Sequence, residues 1–283
     1  MPARFERFDA HPHVALITLD RPERANALDL ETLRELAAHW QRIDADDTIR
    51  VAILTGGSAM GSGTGSGRDS GREESFCAGM DMHETIPISQ ALARGERVSP
   101  EAFEGLRSIP AATLVEKPLR VPLIAAINGH ARAGGFDLLL AAQIRYAVPR
   151  ATFALEEVAL GLYPTGHATV VLPREIAGCH AAELLLTARP IDAERALSIG
   201  LLNEIVAPDA LRARAFETAD RIARNAPLAV QATLRGMREL EGLDRASAYE
   251  QQEALGRPLR RTEDAREAQR AFVERRPPRF VGR

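Results

Sequence analysis

A glycine turn between a buried strand and a short helix is the part of this 283-residue sequence best suited to chemistry. The apolar run Leu123–Ile127 predicts a strand, and residues 136–142 predict a buried helix, with Gly134 and Gly135 just before it. The first NH groups of a helix have no partner within it, and glycine leaves them open to a ligand oxygen. We therefore expect this turn to hold an anion or a developing oxyanion.

The turn does not fit either common nucleotide-binding loop. Gly129 and Gly134 have the spacing of a phosphate-binding P-loop, but Gly135 and Phe136 stand where that motif needs a lysine and a hydroxyl residue. The dinucleotide fingerprint G-x-G-x-x-G is also absent from the turn. A tight turn with no chemistry is the alternative that remains if this stretch is considered alone.

Four further segments, in register with the turn, resemble the signature of the crotonase (enoyl-CoA hydratase/isomerase) superfamily. They are LDRPERANAL at residues 19–28, SFCAGMD at 75–81, FALEEVALGLYP at 153–164 and AFVERR at 271–276. The resemblance covers residues 14–283. It implies an α/β fold, a crotonase-like spiral of ββα repeats, with a core at residues 1–206 and a C-terminal helical trimerisation region at 207–283.

The resemblance also assigns roles to individual residues. The NH groups of Met80 and Gly134 correspond to an oxyanion hole, which stabilises a thioester oxygen as it gains charge. Asp137 and Glu157 correspond to two catalytic carboxylates, and Glu156 is the alternative to Glu157. Six residues correspond to positions that contact coenzyme A or the substrate: Arg24, Ala25, Ala78, Asp81, Phe272 and Arg275. No metal ligand is expected.

The implied reaction is hydration of a trans-2-enoyl-CoA thioester to the 3-hydroxyacyl-CoA, with Asp137 and Glu157 sharing the water. The resembled hydratases usually have glutamate at both positions, and the shorter Asp137 retracts one carboxylate by about 1.5 Å. The first alternative is therefore a 3,2-enoyl-CoA isomerase, in which Glu157 alone moves a proton. The second is a catalytically idle acyl-CoA- or RNA-binding homologue. Thr165 stands where dienoyl-CoA isomerases and aryl-CoA dehalogenases have an acidic residue, so those reactions are not favoured.

The composition is that of an enzyme-sized chain with no nucleic-acid or membrane partner. Among 36 basic residues only Lys117 is a lysine, the formal net charge is −3, and no basic block occurs. No apolar stretch is long enough to span a membrane, and the N-terminus lacks a hydrophobic signal region. Cys77 and Cys179 form no disulfide framework, so we expect a cytoplasmic protein. The expected partners are an acyl-CoA substrate and other subunits of a homotrimer or dimer of trimers, with no cofactor beyond the coenzyme A of the substrate.

Two segments outside the motifs carry structural predictions. Residues 56–72 are rich in glycine and serine, which predicts a flexible insertion at the rim of the site. Near the C-terminus, apolar residues recur on one helical face, at Leu211, Ala215, Ala219 and Ile222. In the resembled family, this helical tail packs on a neighbouring subunit.

Overall fold

The computed structural model describes residues 1–58 and 74–283, and the strands in those ranges form two sheets. The strands are β1 (Ala3–Phe8), β2 (His11–Leu19), β3 (Val51–Gly56), β4 (Ser75–Cys77), β5 (Leu123–Ile127), β6 (His130–Arg132), β7 (Ile144–Ala147), β8 (Thr152–Ala154), β9 (Ile191–Asp192) and β10 (Glu204–Ile205). The larger sheet has the order β1-β2-β3-β5-β7-β10, and the smaller has the order β4-β6-β8-β9. All neighbouring strands are parallel except β1 with β2 and β8 with β9.

Helices cover these sheets and continue to the C-terminus. They are α1 (Leu30–Ala45), α2 (Thr85–Ala93), α3 (Pro100–Arg107), α4 (Ile109–Ala112), α5 (Gly134–Leu140), α6 (Leu172–Glu175), α7 (Gly178–Thr187), α8 (Ala193–Ser198), α9 (Leu211–Ala223), α10 (Pro227–Glu239), α11 (Arg245–Gly256) and α12 (Glu263–Val273). Short 3₁₀ helices span Pro22–Arg24, Glu157–Leu160 and Pro258–Arg261. No helix in the two described ranges is both long and apolar enough to cross a membrane.

From β3 to β8, consecutive strands alternate between the two sheets, which produces the predicted spiral of ββα repeats. β5 lies inside the larger sheet and is buried along its whole length, as its unbroken apolar sequence requires. The chain then turns through residues 128–129 and enters β6 of the smaller sheet before α5 begins. β7 and β8 repeat the change of sheet. The site turn therefore lies where the chain has just crossed from one sheet to the other.

Two side chains of the N-terminal repeat fix the start and the packing of α1. Asp29 caps α1, because its Oδ1 accepts a hydrogen bond of 2.8 Å from the backbone NH of Thr32. Trp40, on the buried face of α1, is 3% exposed, and its Nε1 donates to the carbonyl of Ala112 at 2.9 Å. Trp40 is thus a core residue, and it fixes the last residue of α4.

The apolar face of α9 is covered by this chain's own sheet, not left free for a neighbouring subunit. Leu211, Ala215 and Ala219 are buried, and Ile222 packs against the same core. α9 contacts β2, β3 and β5, because a parallel sheet must be covered on both faces. That the helical tail packs on a neighbouring subunit stays a prediction. α9 belongs to the core although it lies beyond residue 206.

The predicted flexible insertion at residues 56–72 begins later than the composition indicates. Gly56 is the last residue of β3, and its NH donates to Asn128 Oδ1 at 3.1 Å. Gly57 is buried, and its NH donates to the carbonyl of Leu19 at 2.5 Å. These contacts hold residues 56 and 57 at the end of β3. Residues 59–72 of the predicted insertion lie outside the described residues.

Candidate active site

The structure brings the two predicted oxyanion-hole residues next to each other. Leu28 donates its NH to the carbonyl of Gly79 at 2.8 Å and accepts from the NH of Asp81 at 3.0 Å, which fixes the loop on both sides of Met80. Gly134 is the first residue of α5, and a Cβ placed on it would lie 3.4 Å from Met80 Cε. Neither Met80 nor Gly134 donates its NH to another described residue. That both NH groups hold one ligand oxygen stays a prediction.

The backbone just before Gly134 is strained. Ala133 has φ 44° and ψ −118°, a conformation that costs a non-glycine residue about 1–3 kcal/mol. Its NH donates to the carbonyl of Ala154 at 3.0 Å, which ties the turn to β8. On the other side, a Cβ on Gly135 would lie 2.1 Å from the carbonyl oxygen of Cys77, so only glycine fits there. The surrounding contacts therefore impose the turn that exposes the NH of Gly134.

Asp137 is a buried carboxylate, and its donors among the described residues all bind one oxygen. It is 7% exposed, and Oδ1 accepts hydrogen bonds from the NH groups of His167 at 3.1 Å and Ala168 at 3.0 Å. Gly166, with φ +78°, adjoins the other oxygen, since a Cβ there would lie 2.6 Å from Oδ2. Burial and then the charge of Glu157 raise the pKa of Asp137 to about 7, against the two NH groups that lower it.

Glu157 opens the 3₁₀ helix Glu157–Leu160, and one of its oxygens has no partner. Its Oε2 is buried and forms no hydrogen bond with any described residue. Burial raises the pKa of Glu157, and the neighbouring carboxylate of Glu156 raises it further. Glu156 itself is more exposed and pairs with Arg132, whose Nη1 lies 3.1 Å from Glu156 Oε1. Of these two adjacent carboxylates, Glu157 thus has the buried oxygen that accepts no hydrogen bond from the described residues.

Arg145 fixes the far end of α5. It was not among the residues predicted from the sequence. Its Nε donates to the carbonyl of Leu139 at 2.7 Å and its Nη2 to that of Leu140 at 3.2 Å. Both of its terminal nitrogens bind Glu175, at 2.6 and 3.0 Å. A cation at a helix C-terminus is favourable. The sequence feature that could have indicated this role is an arginine within the strand sequence IRYA, because a buried charge requires partners.

Three of the residues predicted to contact coenzyme A lie along one edge of the Met80 loop. Arg24 is exposed at the end of the 3₁₀ helix Pro22–Arg24, and Ala25 follows in a left-handed conformation with φ 52°. The carbonyl of Ala25 accepts a hydrogen bond of 3.0 Å from the NH of Ala78. The structure thus joins the two loops, and their contact with coenzyme A stays a prediction.

Asp81 is bound within the protein. It is 4% exposed, its Oδ1 accepts from the NH of His83 at 2.8 Å, and its Oδ2 lies 3.0 Å from Arg21 Nη1. Although burial opposes ionisation, these partners lower the pKa of Asp81. Both carboxylate oxygens thus hold the loop that carries Met80, and the predicted contact of Asp81 with substrate stays a prediction.

Phe272 and Arg275 lie at the C-terminal end of the chain. Phe272 is 86% exposed on α12. Arg275 follows the helix with φ 53°, and its side chain forms no hydrogen bond or ion pair with the described residues. Their contact with coenzyme A stays a prediction.

Comparison with known proteins identifies the family. The sequence model of the enoyl-CoA hydratase/isomerase family matches residues 9–67 and 69–283. The chain belongs to this family. It is 36% identical to the enoyl-CoA hydratase EchA19 of Mycobacterium tuberculosis, over 96% of this chain and 94% of that protein. It is 37% identical to the (E)-benzylidenesuccinyl-CoA hydratase of Thauera aromatica, over 95% of this chain and 96% of that one.

Solved structures of the family confirm the predicted fold. A crystal structure of an enoyl-CoA hydratase from Bacillus anthracis matches this chain with a TM-score of 0.85 at 31% identity, over the full length of both chains. The α/β spiral and the membership of the enoyl-CoA hydratase/isomerase family, both predicted from the sequence, are thereby confirmed.

Proposed function

We propose that this chain is an enoyl-CoA hydratase, which adds water across the 2,3 double bond of a trans-2-enoyl-CoA thioester to give the 3-hydroxyacyl-CoA. One observation carries the proposal. Asp137 and Glu157 are close enough for the charge of Glu157 to raise the pKa of Asp137, and each keeps one oxygen that accepts no hydrogen bond from a described residue. Two such oxygens suit a water molecule held between them. The relatives named above as hydratases support the same reaction.

The thioester carbonyl is held by the backbone. Its oxygen accepts hydrogen bonds from the NH groups of Met80 and Gly134, which stabilise the enolate character that develops when C3 is attacked. Such donors are worth about 3–4 kcal/mol each where they have been tested in other enzymes. The hydrogen bond from Ala133 to Ala154 and the hydrogen bond from Arg145 to the end of α5 keep the NH of Gly134 in place before substrate binds.

The two carboxylates move the protons. The proposed reaction starts with one proton on the pair, which the raised pKa of Asp137, about 7, allows near neutral pH. The ionised carboxylate takes a proton from the water as the water oxygen bonds to C3. The proton already on the pair passes to C2, so that one water molecule is added in total and the pair ends with one proton again.

An isomerase remains the second candidate, since proton transfer between C2 and C4 needs only Glu157. The burial of Asp137 against Glu157 favours the reaction with two carboxylates, because an isomerase gains nothing from a second ionisable group whose ionisation is opposed by burial. An idle acyl-CoA- or RNA-binding homologue has no use for either raised pKa.

The remaining expectations form part of the proposal. The reaction needs no metal or redox cofactor, and coenzyme A enters only with the substrate. The exposed Phe272 and Val273 on α12, 86% and 80% exposed, support a homotrimer or dimer of trimers in which α12 meets a neighbouring subunit. Cys77 and Cys179 are both free, which is consistent with the reducing environment of a cytoplasm.

A panel of trans-2-enoyl-CoA thioesters of increasing chain length tests the function directly. Hydration removes the conjugated double bond, so the absorbance of the enoyl thioester falls as the product forms. We expect turnover of at least one chain length and formation of the 3-hydroxyacyl-CoA by mass spectrometry. Conversion of 3-enoyl-CoA substrates without any hydration would instead assign the protein to the isomerases.

A further inference from the structure

His167 joins the turn that holds Asp137 to a segment 54 residues earlier in the chain. Its NH donates to Asp137 Oδ1 at 3.1 Å, and its imidazole Nε2 lies 3.0 Å from the carbonyl oxygen of Thr113. A carbonyl oxygen only accepts, so Nε2 must carry the hydrogen. One residue therefore contacts a predicted catalytic carboxylate through its backbone and a distant segment through its side chain.

The carbonyl that receives this hydrogen bond is itself firmly held. Thr113 is 4% exposed, and its Oγ1 donates to the carbonyl of Ile109 at 2.8 Å. The preceding carbonyl, that of Ala112, accepts the indole NH of Trp40 at 2.9 Å. Thr113 therefore offers a fixed point in the core to which the turn at residues 165–168 is joined.

The turn at residues 165–168 needs such an anchor. Gly166 has φ +78° and carries no side chain with which to pack. The NH groups of His167 and Ala168, which follow it, are the two donors to Asp137 Oδ1. Ala168 is buried in the core, and the imidazole of His167 makes the long-range hydrogen bond that fixes the turn and so helps to place both donors.

We propose that His167 is a positioning residue of the reaction, whose imidazole anchors the 165–168 turn to Thr113 and thereby places the two NH groups that hold Asp137. The proposal rests on the catalytic role of Asp137 in the proposed function. It predicts that removing the imidazole NH loosens the hold on Asp137 without removing any group that touches the substrate.

The charges around both residues set the direction of the expected change. Burial lowers the pKa of His167, so the ring stays neutral and donates through Nε2; Glu175 acts in the opposite direction, whereas Arg145 and Arg238 lower the pKa further. Asp137 faces the charge of Glu157, and the two NH groups of the turn lower its pKa. If those hydrogen bonds weaken, the ionisation of Asp137 must shift to higher pH.

Three substitutions test the proposal. His167→Met keeps the volume and removes the donor, His167→Ala removes both, and His167→Gln retains an NH donor. His39→Ala is the matched control, because His39 Nε2 contacts the carbonyl of Ala3 at 2.9 Å in the same way but belongs to α1. For each variant we would measure kcat, KM and the titration of Asp137 by carboxyl-carbon NMR.

We expect His167→Met and His167→Ala to lower kcat by about 10- to 100-fold with KM nearly unchanged, and to move the Asp137 titration to higher pH. His167→Gln should restore most of both, and His39→Ala should alter neither. Added to Asp137→Asn, His167→Met should lower kcat little further, because the two residues act through one group. An unchanged Asp137 titration in both His167→Met and His167→Ala, or a full additional loss in the double variant, would overturn the proposal.

The NMR titration separates this proposal from the proposed function. If the wild-type protein hydrated no enoyl-CoA, the function would be wrong, but a shift of the Asp137 titration in His167→Met would still establish the anchor. If hydration were found and the titration did not shift, only the anchor would be wrong.

Discussion

Buried carboxylates serve opposite purposes in two regions of this molecule. In the C-terminal segment, Asp264 is 2% exposed and accepts the NH groups of Val281 and Gly282 at 2.7 and 2.9 Å, one on each oxygen. Glu267 is 8% exposed, and both of its oxygens accept donors, including Arg276 and the NH of Arg279. In the active site, Asp137 is 7% exposed, and its donors among the described residues all bind one oxygen.

The pKa values follow the supply of donors more than the degree of burial. Hydrogen bonds from Arg276 and the NH of Arg279 lower the pKa of Glu267 to about 2. Burial and the charge of Glu157 raise the pKa of Asp137 to about 7. The C-terminal carboxylates therefore hold the end of the chain against α12. In the active site, by contrast, each carboxylate has a raised pKa and one oxygen that accepts no hydrogen bond from a described residue. The fold gives up stability at the site and gains it at the C-terminal segment.

The largest expected effect is on turnover, from replacing the carboxylate that has no partner. Glu157→Gln should lower kcat by about 100- to 10,000-fold, because a placed proton-transfer group is typically worth that factor. The fall in enoyl absorbance measures it. Glu156→Gln is the matched control, and its rate should stay within a few-fold of wild type, because Glu156 is a half-exposed partner of Arg132. Equal losses in both variants would remove the distinction between them.

The second effect is on stability. Replacing Asp137 should make the protein more stable at high pH, whereas the replacement of Glu157 lowers turnover. A rise in pKa from 3.8 to about 7 corresponds to roughly 4 kcal/mol at about 1.36 kcal/mol per pH unit. The protonated form is favoured, so this stability is fully present below the unfolded pKa and is lost as pH rises through about 7. Asp137→Asn should therefore unfold at higher denaturant concentration than wild type at pH 8, and at a similar one at pH 4. A less stable variant at pH 8 would contradict the comparison.

Glu267→Gln should have a smaller effect in the other direction. Because the folded pKa is lowered from 4.5 to about 2, the ionised carboxylate stabilises the fold above about 4.5, and this stability is lost as pH falls toward about 2. Thermal unfolding should show a lower melting temperature than wild type at pH 7, and the difference should narrow at pH 3. A difference that does not depend on pH would mean that packing, and not charge, explains the role of Glu267.

The smallest effect concerns backbone strain in the same two regions. Ala133→Gly should raise the free energy of unfolding by about 1 kcal/mol, since the relief of strain exceeds the added flexibility of glycine. Arg275→Gly, at the left-handed residue that ends α12, should gain less, because φ 53° is a tolerated helix-end conformation. Denaturant titration of both variants tests this, and an equal gain would show that Ala133 is not strained.

The sequence predicted those parts of the fold that rest on local pattern. The strand Leu123–Ile127 has the predicted bounds, and the motifs identified the family. β1 was missed because its apolar residues do not alternate: Phe5 and Phe8 are three apart, and the register with β2 shifts between Arg7 and Phe8. The strand is stabilised by pairing with β2, which no local pattern records.

Contacts between distant segments account for the other differences. The apolar face of α9 was visible in the sequence, but the surface that covers it was not. The hydrogen bond between His167 and Thr113 joins residues that are 54 positions apart in the sequence. Arg145 likewise donates to the carbonyl of Leu139 in α5 and to Glu175 in α6. The sequence showed that Asp137 stands where the resembled hydratases have glutamate. It did not show which groups hold Asp137 Oδ1, because the donors, the NH groups of His167 and Ala168, lie 30 and 31 residues further along the chain.

Transfer of oxygen from labelled water tests the central claim, that Asp137 and Glu157 together deliver a water molecule. Wild-type protein incubated with crotonyl-CoA in ¹⁸O-water should form 3-hydroxybutyryl-CoA that carries the label at C3. Asp137→Asn, which keeps the shape of the side chain, should abolish that incorporation. If wild type incorporates no label yet converts a 3-enoyl-CoA to its 2-enoyl isomer, and Asp137→Asn leaves that conversion intact, the account is wrong, and Asp137 serves only as a buried carboxylate within α5.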